Sequence, residues 1–244
     1  MRELIYGRNP VLESLRARRR HFSGLMLGEG VKTSPEIQSL IALCKEINVP
    51  VRRVPRDQIE KLGPGAQGVV LEAGEYPYAE FDQVLAYARR SGESPFILLL
   101  DSIQDPQNLG SLIRTAEAVG VHGICIPPHN AARVTPAVVS ASSGACEHLH
   151  IAQVNLAHAI RDLKAQNIWV IGLDAGEGAQ PPERVDLSGP VAIVVGSEGQ
   201  GMRRLVRESC DLLLRLPMVG KVESLNAAIA GSIVLYMAFR ARGQ

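Results

Sequence analysis

FILLLDSIQDPQNLGSLIRTAEAVG, Phe96 to Gly120, decides the fold. Its first five residues are apolar without alternation, as in a strand buried on both faces. A turn rich in Asp, Pro and Asn follows and opens into a helix. The same order recurs downstream, with apolar runs GICI at Gly123–Ile126, WVIGL at Trp169–Leu173 and VAIVV at Val191–Val195 separated by helical stretches. Doubly buried strands alternating with helices predict an α/β domain on a mostly parallel sheet. Ligands of such sheets lie beyond the carboxyl ends of the strands, so the loops there are the place to look for chemistry.

Three loops carry unusual side chains. After FILLL, Asp105 and Asn108 are turn and cap residues by type. Capping does not explain Arg114, a cation in the first half of a helix, where the dipole disfavours it. After VAIVV comes Gly196-Ser-Glu198-Gly-Gln-Gly201. Its spacing is G-x-x-G-x-G, it holds an acid and no Walker lysine, and it therefore suits a cationic or neutral ligand better than a pyrophosphate. The third runs from Leu216 through Pro217, Met218 and Gly220 to Ser224, Leu225 and Asn226, then into an apolar helix ending near Arg240. Ser224 or Asn226 could cap that helix.

Upstream, residues 1–76 alternate helix and strand. Helices are predicted at Pro10–Arg19 and Pro35–Asn48, and strands at Leu25–Leu27, Val49–Val54 and Gly68–Glu72. This part has 12 Lys/Arg against 9 Asp/Glu, whereas residues 95–244 have 12 against 13. The basic surplus is clustered at Arg16–Arg20 and at Arg52, Arg53 and Arg56. It is either a solvated helix end or a phosphate-contacting face. Residues 77–94 read as a connector, giving a division into 1–76, 77–94 and 95–244.

Composition narrows the classes. Aromatic residues are only 4% of the 244, which argues against a platform that stacks bases on Phe and Tyr. The four cysteines, Cys44, Cys125, Cys146 and Cys210, are scattered without a C-x-x-C pair or a nearby histidine set, so neither a disulfide framework nor a metal site is expected. No apolar run approaches bilayer length and the opening has no signal-peptide core, so a cytoplasmic protein away from membranes is expected.

The strings DSIQDPQNLGSLIRTAEAVG, VVGSEGQGM and LPMVGKVESLN, in this order, resemble the three motifs of the SpoU/TrmH family of RNA ribose methyltransferases, within the SPOUT class. YGRNPVLESL near the start and SSGACEHL at Ser142–Leu149 resemble further family segments, so the likeness covers nearly the whole chain. It points to the bacterial branch that methylates a guanosine 2′-hydroxyl of 23S ribosomal RNA. The resemblance implies a trefoil-knotted, mostly parallel methyltransferase domain, a rare exception to unknotted topology. It implies, before that, a small α/β RNA-binding domain of ribosomal-protein-like fold. It also implies S-adenosylmethionine as cofactor, held by Gly196, Leu216, Met218, Ser224 and Leu225, and a homodimer with Leu235, Tyr236 and Phe239 in its interface. Catalytic roles fall to Asn108, Arg114, Glu198 and Asn226, and RNA contacts to Arg8, Arg18, Arg19 and Arg20. Two departures stand out: Ala66 precedes Gln67-Gly68 where the family often has His, and Ala227 and Ala228 follow Asn226 where a hydroxyl is common.

In this chemistry the methyl donor is already electrophilic, and the enzyme must position and deprotonate a weakly acidic hydroxyl. The family's favoured base is the arginine at Arg114, yet guanidinium is effectively always charged. Gripping phosphate suits it better, and Glu198 is the other candidate base. Two other classes are a transfer-RNA ribose methyltransferase and a non-catalytic ribosome-assembly factor; a nucleotide-dependent enzyme on a doubly wound sheet is a further enzyme reading. The intact polar set argues against lost catalysis, and a response to S-adenosylmethionine but not to NAD or ATP separates the enzymes.

Overall fold

The computed structural model describes residues 2–63, 65–222 and 224–243. They form two compact units: residues 1–77 with 133–148, and residues 78–132 with 149–244.

The first unit is built on a four-stranded sheet. Its elements are β1 (Glu3–Tyr6), α1 (Arg8–Ala17), β2 (Phe22–Gly28), α2 (Pro35–Glu46), β3 (Val51–Val54), α3 (Arg56–Leu62) and β4 (Val69–Ala73). Strand order is β1-β4-β2-β3, with β4 antiparallel to both neighbours and β3 parallel to β2. The elements expected in residues 1–76 are all present, with ends moved by a few residues. β1 was not expected, because only Ile5 in its four residues is buried. α1 ends before its basic run, since Arg18 takes a left-handed φ of 53° and closes the helix.

The second unit opens with α4 (Phe81–Arg90), in the segment expected to be a connector. A capping box between Glu80 and Gln83 starts this helix. Its Val84 and Leu85 join one core with Ile97, Leu99 and Cys125. Gly123 makes the fit possible, because a Cβ there would lie 2.5 Å from a Val84 methyl. Within the segment read as a connector, residues 81–90 are therefore a helix packed into the core of the second unit.

β5 (Phe96–Asp101), α5 (Pro106–Ala118) and β6 (Gly123–Ile126) follow, and the chain then leaves this unit. α6 (Pro136–Ala141) packs against β1, and a 3₁₀ turn at Ala145–His148 packs against α1. This excursion is fixed by buried polar contacts. The Arg20 side chain, wholly enclosed, pairs with Glu147, also wholly enclosed, and with Glu3, each at 2.6 Å. Its guanidinium lies 4.9 Å from the Tyr76 ring centroid, and the Tyr76 hydroxyl donates to the Cys146 carbonyl at 2.8 Å. Burial works against the Arg20 charge, but the two carboxylates outweigh it and hold the guanidinium charged above its usual range.

β7 (Ile151–Gln153), α7 (Leu156–Lys164), β8 (Trp169–Leu173), β9 (Val191–Gly196), α8 (Arg204–Ser209), β10 (Leu212–Leu214) and α9 (Ala227–Ala241) complete the second unit. Its sheet, ordered β10-β8-β9-β5-β6-β7, is parallel throughout, and the α/β reading is upheld. The last helix crosses α5 and β9 at Gly231, where a Cβ would meet Leu112 at 2.6 Å and Val195 at 3.0 Å. Leu235, expected at an interface, is completely buried inside the protomer and cannot serve there, whereas Tyr236 is exposed and Phe239 half-buried.

His122 ties the start of β5, accepting the Phe96 N–H at Nδ1 over 3.0 Å. Burial lowers its pKa below the ordinary histidine value. The unfolded chain thus binds the proton more readily, and stability falls as pH drops below about 6.5 toward the folded value. His122→Asn keeps an acceptor without titrating. Its melting temperature should fall less than the parent's between pH 7.5 and 5.5; parallel slopes would remove His122 from the account.

Candidate active site

The carboxyl ends of β8, β9 and β10 open on one cleft of about 260 Å³. Gly196, Leu216, Met218, Ser224 and Leu225, the five residues expected around a cofactor, all line it. The glycine at 196 has a steric cause: a Cβ would sit 2.3 Å from the backbone of Gly201 and Met202. β9 therefore turns back on itself through Ser197–Gly201, with Ser197 and Gly201 exchanging backbone hydrogen bonds. Leu173, Asp174 and Leu214 also line the cleft, though no motif marked them.

Three of the four expected catalytic residues meet. Asn108 Nδ2 donates to Glu198 Oε1 at 2.8 Å, Asn226 Nδ2 donates to the same oxygen, and also to Asn108 Oδ1 at 3.2 Å. Asn226 is held from behind, as the N-cap of α9, by accepting from the Ala228 and Ile229 amides at 2.8 and 3.2 Å. Asn226 thus caps α9 with one end of its amide and bonds Glu198 and Asn108 with the other. Asp105 is the N-cap of α5, while Ser224 caps nothing and faces the cleft. Glu198 Oε2 has no donor among the described residues. A second cleft, about 270 Å³, lies beside the cluster and is lined by Ser102, Gln104, Asp105 and Gln200.

Arg114, the fourth, is carried by α5 as well. Six residues beyond Asn108 on α5, it lies about 9 Å further along the axis and about 120° around it. It is exposed.

Asp101 was missed. Fully buried at the end of β5, it accepts from the Arg203 backbone N–H and from its Nε, both at 2.7 Å. This bidentate grip fixes the chain just after the turn that presents Glu198. Its only trace in the sequence is a carboxylate closing an otherwise apolar strand.

The expected RNA-contacting arginines do not form one face. Arg8 begins α1, whereas Arg18, Arg19 and Arg20 follow its far end, about 15 Å away at 1.5 Å per residue. Arg20 is withdrawn from the set, being enclosed and spent on Glu147 and Glu3. Arg19 is half-buried and donates to the Pro77 carbonyl at 3.2 Å. Arg18 is exposed and paired with Glu46 at 2.5 Å. Among the described residues no group of three His, Cys, Asp or Glu is placed to hold a metal ion, and no helix is long and apolar enough to cross a membrane.

Comparison with known proteins accounts for both units. The SpoU rRNA methylase family matches residues 95–236, and the substrate-binding domain of RNA 2′-O ribose methyltransferases matches residues 4–79. YacO of Bacillus subtilis, assigned to the TrmH family of tRNA/rRNA methyltransferases, is 42% identical over 98% of this chain and 96% of its own. The SpoU methyltransferase AviRb of Streptomyces viridochromogenes, solved in complex with AdoMet, is 25% identical. It covers 99% of this chain and 90% of its own, with a TM-score of 0.82. An AdoMet-bound rRNA methyltransferase of Sinorhizobium meliloti is 26% identical over 98% of this chain and 87% of its own, with a TM-score of 0.81. The chain belongs to the SpoU family of RNA 2′-O ribose methyltransferases.

Proposed function

We propose that the protein methylates the 2′-hydroxyl of a guanosine in 23S ribosomal RNA, taking the methyl group from S-adenosylmethionine. The observation that carries the reading is the Asn108–Glu198–Asn226 cluster at the edge of a glycine-walled, largely apolar cleft. A sulfonium cofactor suits that cleft, because its walls are largely apolar and the charged residues that line it, Asp174 and Glu198, are both carboxylates. Gly196, Leu216, Met218, Ser224 and Leu225 would hold it. When bound, it supplies a methyl group already activated for transfer.

The protein's own residues then have three tasks. The cleft lined by Gln104, Asp105 and Gln200 offers donors and acceptors for the target base. Glu198 Oε1 is pinned by two amides, which leaves Oε2 to accept the proton of the ribose hydroxyl as its oxygen takes the methyl group and the methyl–sulfur bond breaks, its electron pair left on sulfur. Arg114, with the planar donor fork of a guanidinium, grips a phosphate of the same strand. Ribosomal RNA is favoured over transfer RNA by the AdoMet-bound rRNA enzyme of S. meliloti, which is matched along both units.

The return of the chain from the edge strand β10 to α9, packed on α5 and β9, is read as the trefoil crossing of the family. A homodimer is read from α9, which exposes Ile229, Ile233 and Tyr236 along one stripe beside a cleft of about 1040 Å³. An apolar stripe of this kind marks an interaction surface.

Incubation with S-adenosylmethionine and deproteinised ribosomal or transfer RNA, followed by mapping of ribose methylation, tests the substrate. Modification confined to one 23S guanosine is expected; modification of transfer RNA alone would replace the substrate and leave the chemistry. Saturation with the cofactor at a hundredfold excess over its dissociation constant should stabilise the protein by about 2.7 kcal/mol. An unmoved melting temperature would remove the cofactor from the cleft.

A further inference from the structure

The first unit has a cleft of its own, about 720 Å³, far in sequence from the methyl-transfer motifs. Its floor is apolar: Ile59 and Ala66 are buried, and Val31 is half-buried. Its rim is polar and of mixed sign, with Arg8, Glu29, Arg56, Glu60 and Gln67. One wall is the turn around Gln67 and Gly68, both left-handed, at φ 51° and 77°. Glycine is required at 68, because a Cβ would lie 2.4 Å from a Val31 methyl. Gln67 is not glycine, yet it holds the left-handed conformation that an ordinary residue adopts at a cost. There its Oε1 accepts the Arg8 backbone N–H at 3.4 Å.

Two groups here are left over by the fold. Arg8 Nε is shut off from solvent without any acceptor, a state in which a donor is disfavoured until something accepts from it. Glu29 is exposed, and its carboxylate has no partner among the described residues. Arg56 and Glu60, in contrast, are already paired at 2.9 Å. Among the described residues, the arginine whose Nε lacks an acceptor, drawn electrostatically toward Glu36, and the Glu29 carboxylate thus stand around an apolar floor.

A phosphate alone does not fit this set, since the apolar floor gives it nothing and Glu29 repels it. A nucleobase does. It offers a flat face for Ile59, Val31 and Ala66, and hydrogen-bonding edges for the rim. Among the bases, guanine carries an adjacent acceptor pair, O6 and N7, that an arginine fork meets bidentately. It also carries N–H donors on its other edge, which a carboxylate accepts.

We infer that the first unit captures one unstacked guanine of the RNA substrate in this cleft, separately from the nucleotide that is methylated, with Arg8 on its O6/N7 edge and Glu29 on its N–H edge. Single-stranded RNA is commonly read in this manner, through splayed bases bonded on their edges. The inference rests on the RNA reading above and names what the substrate-binding unit recognises. It also gives Arg8 a role distinct from the basic run after α1, reading a base rather than positioning a backbone.

The test uses the full-length protein saturated with S-adenosylhomocysteine, so that the cofactor cleft is closed to the probe. GMP, AMP, CMP, UMP and inorganic phosphate are titrated separately while the arginine Nε–H and backbone amide resonances are followed. GMP is expected to move the Arg8 Nε–H and the Gln67 and Gly68 amides, and to bind about tenfold more tightly than CMP or UMP. Arg8→Lys, which keeps the charge and loses the fork, and Glu29→Gln should each abolish that preference. Equal shifts from inorganic phosphate, equal affinity for all four nucleotides, or shifts confined to residues 196–225 would each overturn the inference. Methyl transfer to RNA by the same preparation is scored separately, so a failure of the cleft leaves the catalytic reading standing and the reverse.

Discussion

Glu198→Gln is expected to slow single-turnover methyl transfer by about 10²–10⁴-fold, the range in which a positioned base contributes. Glutamine can still accept from Asn108 and Asn226, so the geometry of the cluster and cofactor affinity should change little. Arg114→Lys is expected to lower the same rate by about 10²-fold through loss of orientation, because lysine keeps the charge and loses the planar fork. The two variants separate two mechanisms. A near-normal rate in Glu198→Gln, beside an inactive Arg114→Lys, would make the arginine the base. Loss of cofactor binding in Arg114→Ala would instead place Arg114 in the cofactor site.

Arg20→Met is expected to cost the fold about 3–5 kcal/mol, because Glu147 would be left buried without its cation. Glu147→Met should be similarly damaging for the opposite reason. The double replacement should recover most of the loss, since a buried ion pair exchanged for apolar groups of similar volume is often nearly neutral. Glu3 is partly exposed and can turn to water when Arg20 is gone. Urea unfolding followed by circular dichroism measures all three. Single replacements that each cost less than about 1 kcal/mol would show that the network is not what secures residues 133–148.

Much of this was legible in the sequence because the physics is local. Apolar runs without alternation announced the parallel strands β5, β6, β8 and β9, and glycine and proline punctuated the loops after them. The shared site was legible only through the motifs, since no periodicity says that Asn108, Glu198 and Asn226 converge; the sheet order does that. Short edge elements escaped. β10 has three residues and β1 one buried residue, too few for any period to register. Arg20 was misread for a deeper reason. Arg18, Arg19 and Arg20 are chemically alike, and what distinguishes Arg20 is a carboxylate 127 residues away. Likewise, residues 77–94 were read as a connector, because an amphipathic turn or two shows a buried face without saying what covers it.

The excursion of residues 133–148 sets an order of events during synthesis. The first unit is almost fully translated by residue 77, yet Arg20 has no Glu147, and β1 no α6, until about 70 further residues have been added. At about 5–20 residues per second, that interval lasts roughly 4–14 s. Throughout it the nascent unit must keep a charged side chain and the β1 face solvated. The amino-terminal part therefore cannot reach its final packing first and wait for the rest. It closes only when the second half of the chain is well under way, which couples the maturation of the RNA-reading unit to the synthesis of the unit that carries the chemistry.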